Sequence, residues 1–399
     1  MNRQGRNQVK VQHSGGMKLR RGRKADYRCS GSWRDGYWVR AFTVSVLLSG
    51  CVADASISSG SAVSASSPVQ VAAADYSRPV RPLRHAEAPA ALKATVEALG
   101  RGFNGTVGIS VRPIDADWEI SYNGDTLMPQ QSVSKLWVAM AALDAVDRGR
   151  ITLRDPVTIG RDDLTLFHQP LAAMLQNGKY TTELDDLIQR AMTQSDNTAN
   201  DSVLRTVGGP QAVRGFLARR YIKDIRFGPG ERLLQSKAAG LEWDQKYSLG
   251  RNFYAARANL PRSVREKALD DYLSNPPDGA APSAITLALA KLKRGEMLSP
   301  ASTAYLLSTM HEARTGPQRI KGGVPAGWTY GHKTGTGQEL QPRSTGYNDV
   351  GVMTAPDGRS YAVAVMIAST SVSIPERWQL MQSVARAVAL AHEQTVAGR

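Results

Sequence analysis

The apolar positions of this chain follow two periods in alternation. Residues 105–114 interleave small or polar residues with β-branched ones, and after an Asp-rich turn residues 118–122 follow, which predicts a β-hairpin. From 132 to about 213 the spacing is helical, and 136–143 is apolar enough for a buried helix. Residues 344–354 and 361–369 return to strand-like runs, joined by Pro356-Asp357-Gly358, a sequence that favours a tight turn. Residues 376–392 are helical again and are expected to pack on the sheet. Strands therefore stand at both ends with helices between. The 399 residues, 42% hydrophobic, suffice for a full core in one or two domains.

The first fifty residues have a different character. They carry 11 Lys/Arg against two Asp/Glu, so +9 of the net +15 sits there and the rest of the chain is only mildly basic. This distribution argues for a targeting segment and against a nucleic-acid-binding face. Residues 41–50 form an apolar run of about ten after Arg40, too short to span a bilayer and suited to the h-region of a signal peptide. The run ends in Leu48-Ser49-Gly50-Cys51, which resembles a bacterial lipobox. Residues 1–51 are accordingly expected to be a signal region, with Cys51 lipidated after cleavage. Ordinary secretory cleavage at an Ala-rich site up to Ala55 is the alternative, and Met17 is an alternative start. Both readings imply export to the periplasm, with membrane contact only through an outer-membrane lipid anchor. Residues 52–86, rich in Ser, Ala, Val and Pro, read as a flexible linker, and the folded domain is expected over 87–397. Cys29 lies upstream of either cut, so the mature chain is expected to have no disulfide.

Candidate chemistry comes from three short motifs in one order: Ser132-Val133-Ser134-Lys135, Ser195-Asp196-Asn197 and Lys333-Thr334-Gly335. Each is common alone; together, within about 200 residues, they describe an acyl-transfer site. One helical turn separates Ser132 from Lys135, so a helix starting at Ser132 puts both on one face, with the hydroxyl near free N–H groups. A serine hydroxyl needs a base, and lysine serves only when burial or nearby cations lower its pKa. Lys333 supplies such a cation and also an attraction for anionic substrates. Ser195 is suited to passing a proton to a leaving nitrogen, and Asn197 to holding an amide.

This set resembles that of the class A serine β-lactamases and the penicillin-binding proteins. The resemblance covers about residues 90–395 and implies an α+β, β-lactamase/transpeptidase-like fold: an antiparallel sheet with flanking helices, split by an all-α part over about 132–300. A fourth element separates the two groups. Phe227-Gly228-Pro229-Gly230-Glu231-Arg232-Leu233-Leu234-Gln235 resembles the Glu-x-x-Leu-Asn signature of the class A Ω-loop, with Gln235 in place of Asn and Glu231 at 36 residues after Ser195. The resemblance makes Glu231 the activator of the deacylating water; Pro229 and Gly230 suggest that it sits in a loop, not a helix.

Other roles follow from the same resemblance. Lys333, Thr334, Gly335 and Thr336 line the substrate strand, and the N–H groups of Ser132 and Thr336 form the oxyanion hole. Arg319 takes the place of an arginine missing from the following strand and holds the substrate carboxylate. Asp201 stands where Asn is commoner, and Phe167 or His168 flanks the entrance. The implied activity is hydrolysis of β-lactam antibiotics by a monomer without cofactor. No metal is expected, because six scattered histidines offer no ligand cluster. The alternative is a penicillin-binding DD-peptidase acting on cell-wall peptides. The largest departure is an insertion over about 236–280, containing Trp243, Tyr247, Phe253, Tyr254 and Tyr272, with a helix expected over 263–273. It reads either as a lid or as a surface elaboration with its own small cluster.

Overall fold

The computed structural model describes residues 82–397. The signal region with Cys51, and nearly all of the 52–86 linker, lie outside them. In chain order the elements are α1 (Ala90–Gly102), β1 (Gly105–Pro113), β2 (Ile120–Tyr122), β3 (Met128–Pro129), α2 (Lys135–Asp147), β4 (Pro156–Gly160), β5 (Lys179–Glu183), α3 (Leu184–Gln189), α4 (Asn197–Thr206) and α5 (Gly209–Arg219). Then come α6 (Glu231–Ala238), α7 (Asn252–Asn259), α8 (Arg262–Ser274), β6 (Gly279–Ala280), α9 (Pro282–Lys293) and α10 (Pro300–His311). The chain closes with β7 (Thr329–Gly335), β8 (Glu339–Leu340), β9 (Arg343–Thr354), β10 (Ser360–Thr370) and α11 (Ile374–Ala397).

The main sheet runs β2-β1-β10-β9-β7, with β8 on β9, and every pairing is antiparallel. The two ends of the described fold therefore meet: β1 near its beginning pairs with β10 near its finish, Ile109 opposite Val365. Strand β10 shows why the sheet is covered on both faces. Val363, Val365 and Ile367 point into one core with Leu92 and Val96 of α1 and Val384 and Val388 of α11. Ala362, Ala364 and Met366 point into the other, with Ile285 and Leu289 of α9 and the helical part of the chain. Period-two alternation thus feeds two cores from one strand.

Helix α2 is the axis of the helical part. Leu136, Trp137, Val138 and Met140 are each at most 1% exposed, as an all-round apolar run requires. Three local expectations need correction. The α-helix begins at Lys135, and Ser132 lies in a preceding 3₁₀ turn, Gln131–Ser134. The stretch 132–213 is not all helix, because β4 and β5 form a hairpin of mostly exposed or half-buried positions, with only Ile159 reaching the core. Glu231 is the first residue of α6 and not a loop residue; Gly230, at φ 101°, makes the sharp entry that Pro229-Gly230 advertised as a break.

The insertion holds α7 and α8, and two small apolar clusters fasten it down. Phe253 packs with Leu166 and Ala239, flanked by Trp243 and Tyr247. Leu269 and Tyr272 pack with Leu234 and Ala238 of α6 and with Leu340.

Candidate active site

The turn that carries Ser132 is held from both sides. Asn348 of β9 donates through Nδ2 to the carbonyls of Pro129 (2.8 Å) and Gln130 (3.0 Å), tying the turn to the sheet. Strand β3, just before it, pairs with β6, just after Asp278. Gln131 takes φ 53°, unusual for a residue with a side chain, and its N–H donates to Asp278 Oδ2 at 2.8 Å.

Lys135 is fully buried and donates to Ser132 Oγ (2.9 Å), Asn197 Oδ1 (2.9 Å) and Glu231 Oε1, so one ammonium joins hydroxyl, amide and carboxylate. Asn197 is fixed in turn, Nδ2 donating to the Leu166 carbonyl at 2.8 Å. Ser195 stands in the left-handed region at φ 63°, between a π-turn and α4, with Asp196 capping α4 by accepting from the Ala199 N–H at 2.8 Å. Lys333, fully buried on β7, donates to Ser195 Oγ at 3.0 Å and to the Thr334 carbonyl at 3.0 Å. Burial, then the charges of Lys135 and Arg319, hold its ammonium well below the usual lysine range.

Glu231 is buried, its backbone N–H donating to Asp201 Oδ1 at 3.3 Å. Burial and the Glu231 charge push the Asp201 carboxyl up to about 6. Gln235 lies one turn along α6; its Nε2 donates to Gln131 Oε1 (2.8 Å) and Glu231 Oε2 (3.3 Å), while Gln338 Nε2 donates to its Oε1 at 3.1 Å. Gln131 Nε2 donates to the Tyr272 hydroxyl at 2.6 Å, and that hydroxyl donates to Asp278 at 3.0 Å. A polar chain thus runs from the insertion, through the residue before Ser132, to Glu231.

Arg319 is 6% exposed, with its guanidinium 3.8 Å from the centre of the Tyr347 ring. It donates to the carbonyls of Gly335 (2.7 Å) and Asn348 (2.5 Å) and to Thr336 Oγ1 (2.6 Å). Because Thr336 Oγ1 accepts this charge-assisted bond, its own hydrogen is free to be offered to an anion. Thr334 Oγ1 lies 2.7 Å from Thr315 Oγ1. Gly335 has no room for a side chain: a Cβ would stand 2.3 Å from the Gln130 carbonyl, and one on Gly337 2.5 Å from that of Thr345.

These groups surround one cavity of about 530 Å³. Ser132, Ser195, Asn197, Glu231, Gln235, Arg319, Thr334 and Thr336 line it, as do Phe167 and His168. Lys135 and Lys333 reach it through their hydrogen bonds. Sequence reasoning missed Gln131, Gln338, Asp278 and Arg257 as parts of the site, and noted Tyr254 and Tyr272 only as aromatics in the insertion. The best available signal was position: Gln131 directly precedes the serine.

A model of the β-lactamase enzyme family matches residues 91–392. The chain belongs to that family. Among characterised β-lactamases, the extended-spectrum enzyme PER-1 of Pseudomonas aeruginosa is 29% identical over 296 residues, 74% of this chain and 85% of the relative. β-Lactamase VEB-1 of the same organism is 23% identical, covering 74% of this chain and 88% of its own length. Among solved structures, an ancestral class A β-lactamase superposes with TM-score 0.59 at 27% identity, covering 75% of this chain and 99% of its own. The TLA-1 β-lactamase gives TM-score 0.63 at 24% identity over 77% and 99%, a likeness of fold. The β-lactamase described here is thus a divergent class A serine enzyme in fold and family.

Proposed function

We propose that the chain hydrolyses β-lactams through a covalent Ser132 acyl-enzyme. What carries this reading is the unbroken run Ser132–Lys135–Glu231, bonded at each step, with Lys135 and Glu231 buried and Ser132 half-buried at the cavity. Lys135 passes a proton to Glu231 across their ion pair, and the neutral amine, 2.9 Å from Ser132 Oγ, takes the hydroxyl proton as Oγ attacks the lactam carbonyl. Negative charge on the carbonyl oxygen is met by the N–H groups of Ser132 and Thr336, where losing one donor typically costs ~3 kcal/mol. Ser195, bonded to Lys333, gives its proton to the lactam nitrogen as the ring C–N bond breaks, and Lys333 replenishes it. Glu231 returns its proton through Lys135 to the depleted Ser195–Lys333 pair; as a carboxylate again, held by Gln235, it deprotonates the water that attacks the ester and hands that proton through Lys135 to the departing Ser132 oxygen.

The substrate carboxylate is met by Thr334 and Thr336, with Arg319 behind them. Glu231→Gln tests the scheme. It should acylate in a burst of one equivalent and then accumulate an adduct on Ser132 by mass, while wild type turns over. An adduct that persists for hours on wild type would mark a penicillin-binding protein instead. We also propose that the enzyme is exported to the periplasm as a monomer, behind a cleaved leader, with Cys51 as its lipid anchor.

A further inference from the structure

Helix α7 of the insertion brings two side chains to the cavity that holds Ser132: Tyr254 and, three residues on, Arg257. That spacing puts both on one helix face. Tyr254 is 48% exposed, and its ring centre lies 6.0 Å from that of Phe167, which also lines the cavity. Phe253 packs edge-on against both, at 5.8 and 5.0 Å. The rings form an apolar shelf at the site.

Arg257, half-buried, donates through Nη2 to the Glu339 carbonyl at 2.9 Å, while its Nε is buried without a partner. Among the described residues it belongs to no ion pair. The nearby Glu339 carboxylate is engaged elsewhere, accepting from Ser344 Oγ (2.9 Å) and Gln341 Nε2 (3.2 Å). Burial, then the like charge of Arg265, hold the Arg257 guanidinium below its ordinary value, and the Nε of Arg265 is also buried without a partner. The other cations of the site are committed: Lys135 to Glu231, Lys333 to Ser195, and Arg319 to two carbonyls and Thr336.

We infer that Arg257, with the Tyr254–Phe167 shelf, forms a subsite for a β-lactam acyl side chain carrying a carboxylate beside an aryl or other flat apolar group. A guanidinium matches a carboxylate through paired N–H donors, and the shelf covers the ring next to it. This inference deepens the hydrolytic reading of Ser132 and rests on it.

Benzylpenicillin and its α-carboxy derivative differ by one side-chain carboxylate and so isolate the subsite. Arg257→Met keeps the stem and removes the charge. The ratio of kcat/KM, carboxylated over parent, should fall about tenfold relative to wild type, mainly through KM, and Arg257→Lys should recover part of it. Added salt should lower the wild-type ratio and leave that of the Met variant unchanged. An unchanged ratio in Arg257→Met overturns the subsite, even if both rates drop together; Arg257 would then only prop the Glu339 backbone. Failure of wild type to hydrolyse either compound would instead overturn the β-lactamase reading beneath it.

Discussion

The hydroxyl of Tyr272 accepts from Gln131 Nε2 at 2.6 Å, so the insertion grips the residue that precedes the nucleophile. With Tyr272 donating to Asp278, and Asp278 accepting the Gln131 N–H, the three residues close a buried hydrogen-bonded ring. Gln131 then holds Gln235, and Gln235 holds Glu231.

Tyr272→Phe removes one oxygen from that ring. The Gln131 amide loses its buried acceptor, at a cost of ~1–3 kcal/mol, and is free to release Gln235. The variant should melt earlier, and kcat and KM should fall together as deacylation slows and acyl-enzyme builds up. Quenched-flow mass spectrometry would read the adduct fraction at steady state. An unchanged fraction would leave Tyr272 as packing only.

Ser132→Ala should abolish hydrolysis on the order of a million-fold while the fold persists. The measurement is initial rate on a chromogenic cephalosporin, with circular dichroism to check folding. Turnover within tenfold of wild type would sink the acyl-enzyme scheme.

Arg319→Lys keeps a positive charge but replaces the fork, whose two nitrogens divide two carbonyls and a hydroxyl between them, with a single ammonium on a different stem. KM for carboxylate-bearing substrates should rise about tenfold, with a smaller change in kcat, because a clamp on a remote group binds ground and transition states alike. Equal kinetics would show that any cation behind Thr334 and Thr336 suffices and that the guanidinium fork is not required.

Asp201 gives a pH signature. Its carboxyl titrates at about 6 in the folded protein and near 3.8 unfolded. Below 4 both states hold the proton and no penalty arises. Between 4 and 6 the unfolded chain releases its proton first, so stability falls as pH rises, by on the order of 3 kcal/mol in full. Asp278, also raised to about 6 by burial, acts in the same window and direction. Asp201→Asn, whose oxygen can still accept the Glu231 N–H, should raise stability at pH 7.5 and flatten this slope. Urea melts at pH 4, 5, 6 and 7.5 would show it, and parallel slopes would refute it.

Motif order was enough to gather Ser132, Lys135, Ser195 and Lys333 on one site, because each motif pairs a functional group with a short-range turn or strand end. Spacing also brought Glu231 there, but not its position at the head of α6, since Pro229 and Gly230 read as breakers and only the backbone reveals Gly230 as a cap. The β4–β5 hairpin stayed hidden because Val157 and Ile159 are its only aliphatic residues, too few to set a period. Gln131 and Tyr272 were invisible as partners because 141 residues separate them and neither type announces a contact. Arg319 was legible as a cation at the site, but its bonds to carbonyls of its own sheet were not.

The inner wall of the cavity leaves little to selection. A side chain on Gly335 would drive into the Gln130 carbonyl and one on Gly337 into that of Thr345, so neither position can be decorated without moving the Ser132 turn or β9. Tyr254 and Arg257 stand on a helix outside the main sheet and already carry side chains at the cavity. Under antibiotic pressure, heritable changes in substrate range should therefore collect on α7, where one codon can alter the rim without disturbing the groups that make and break bonds.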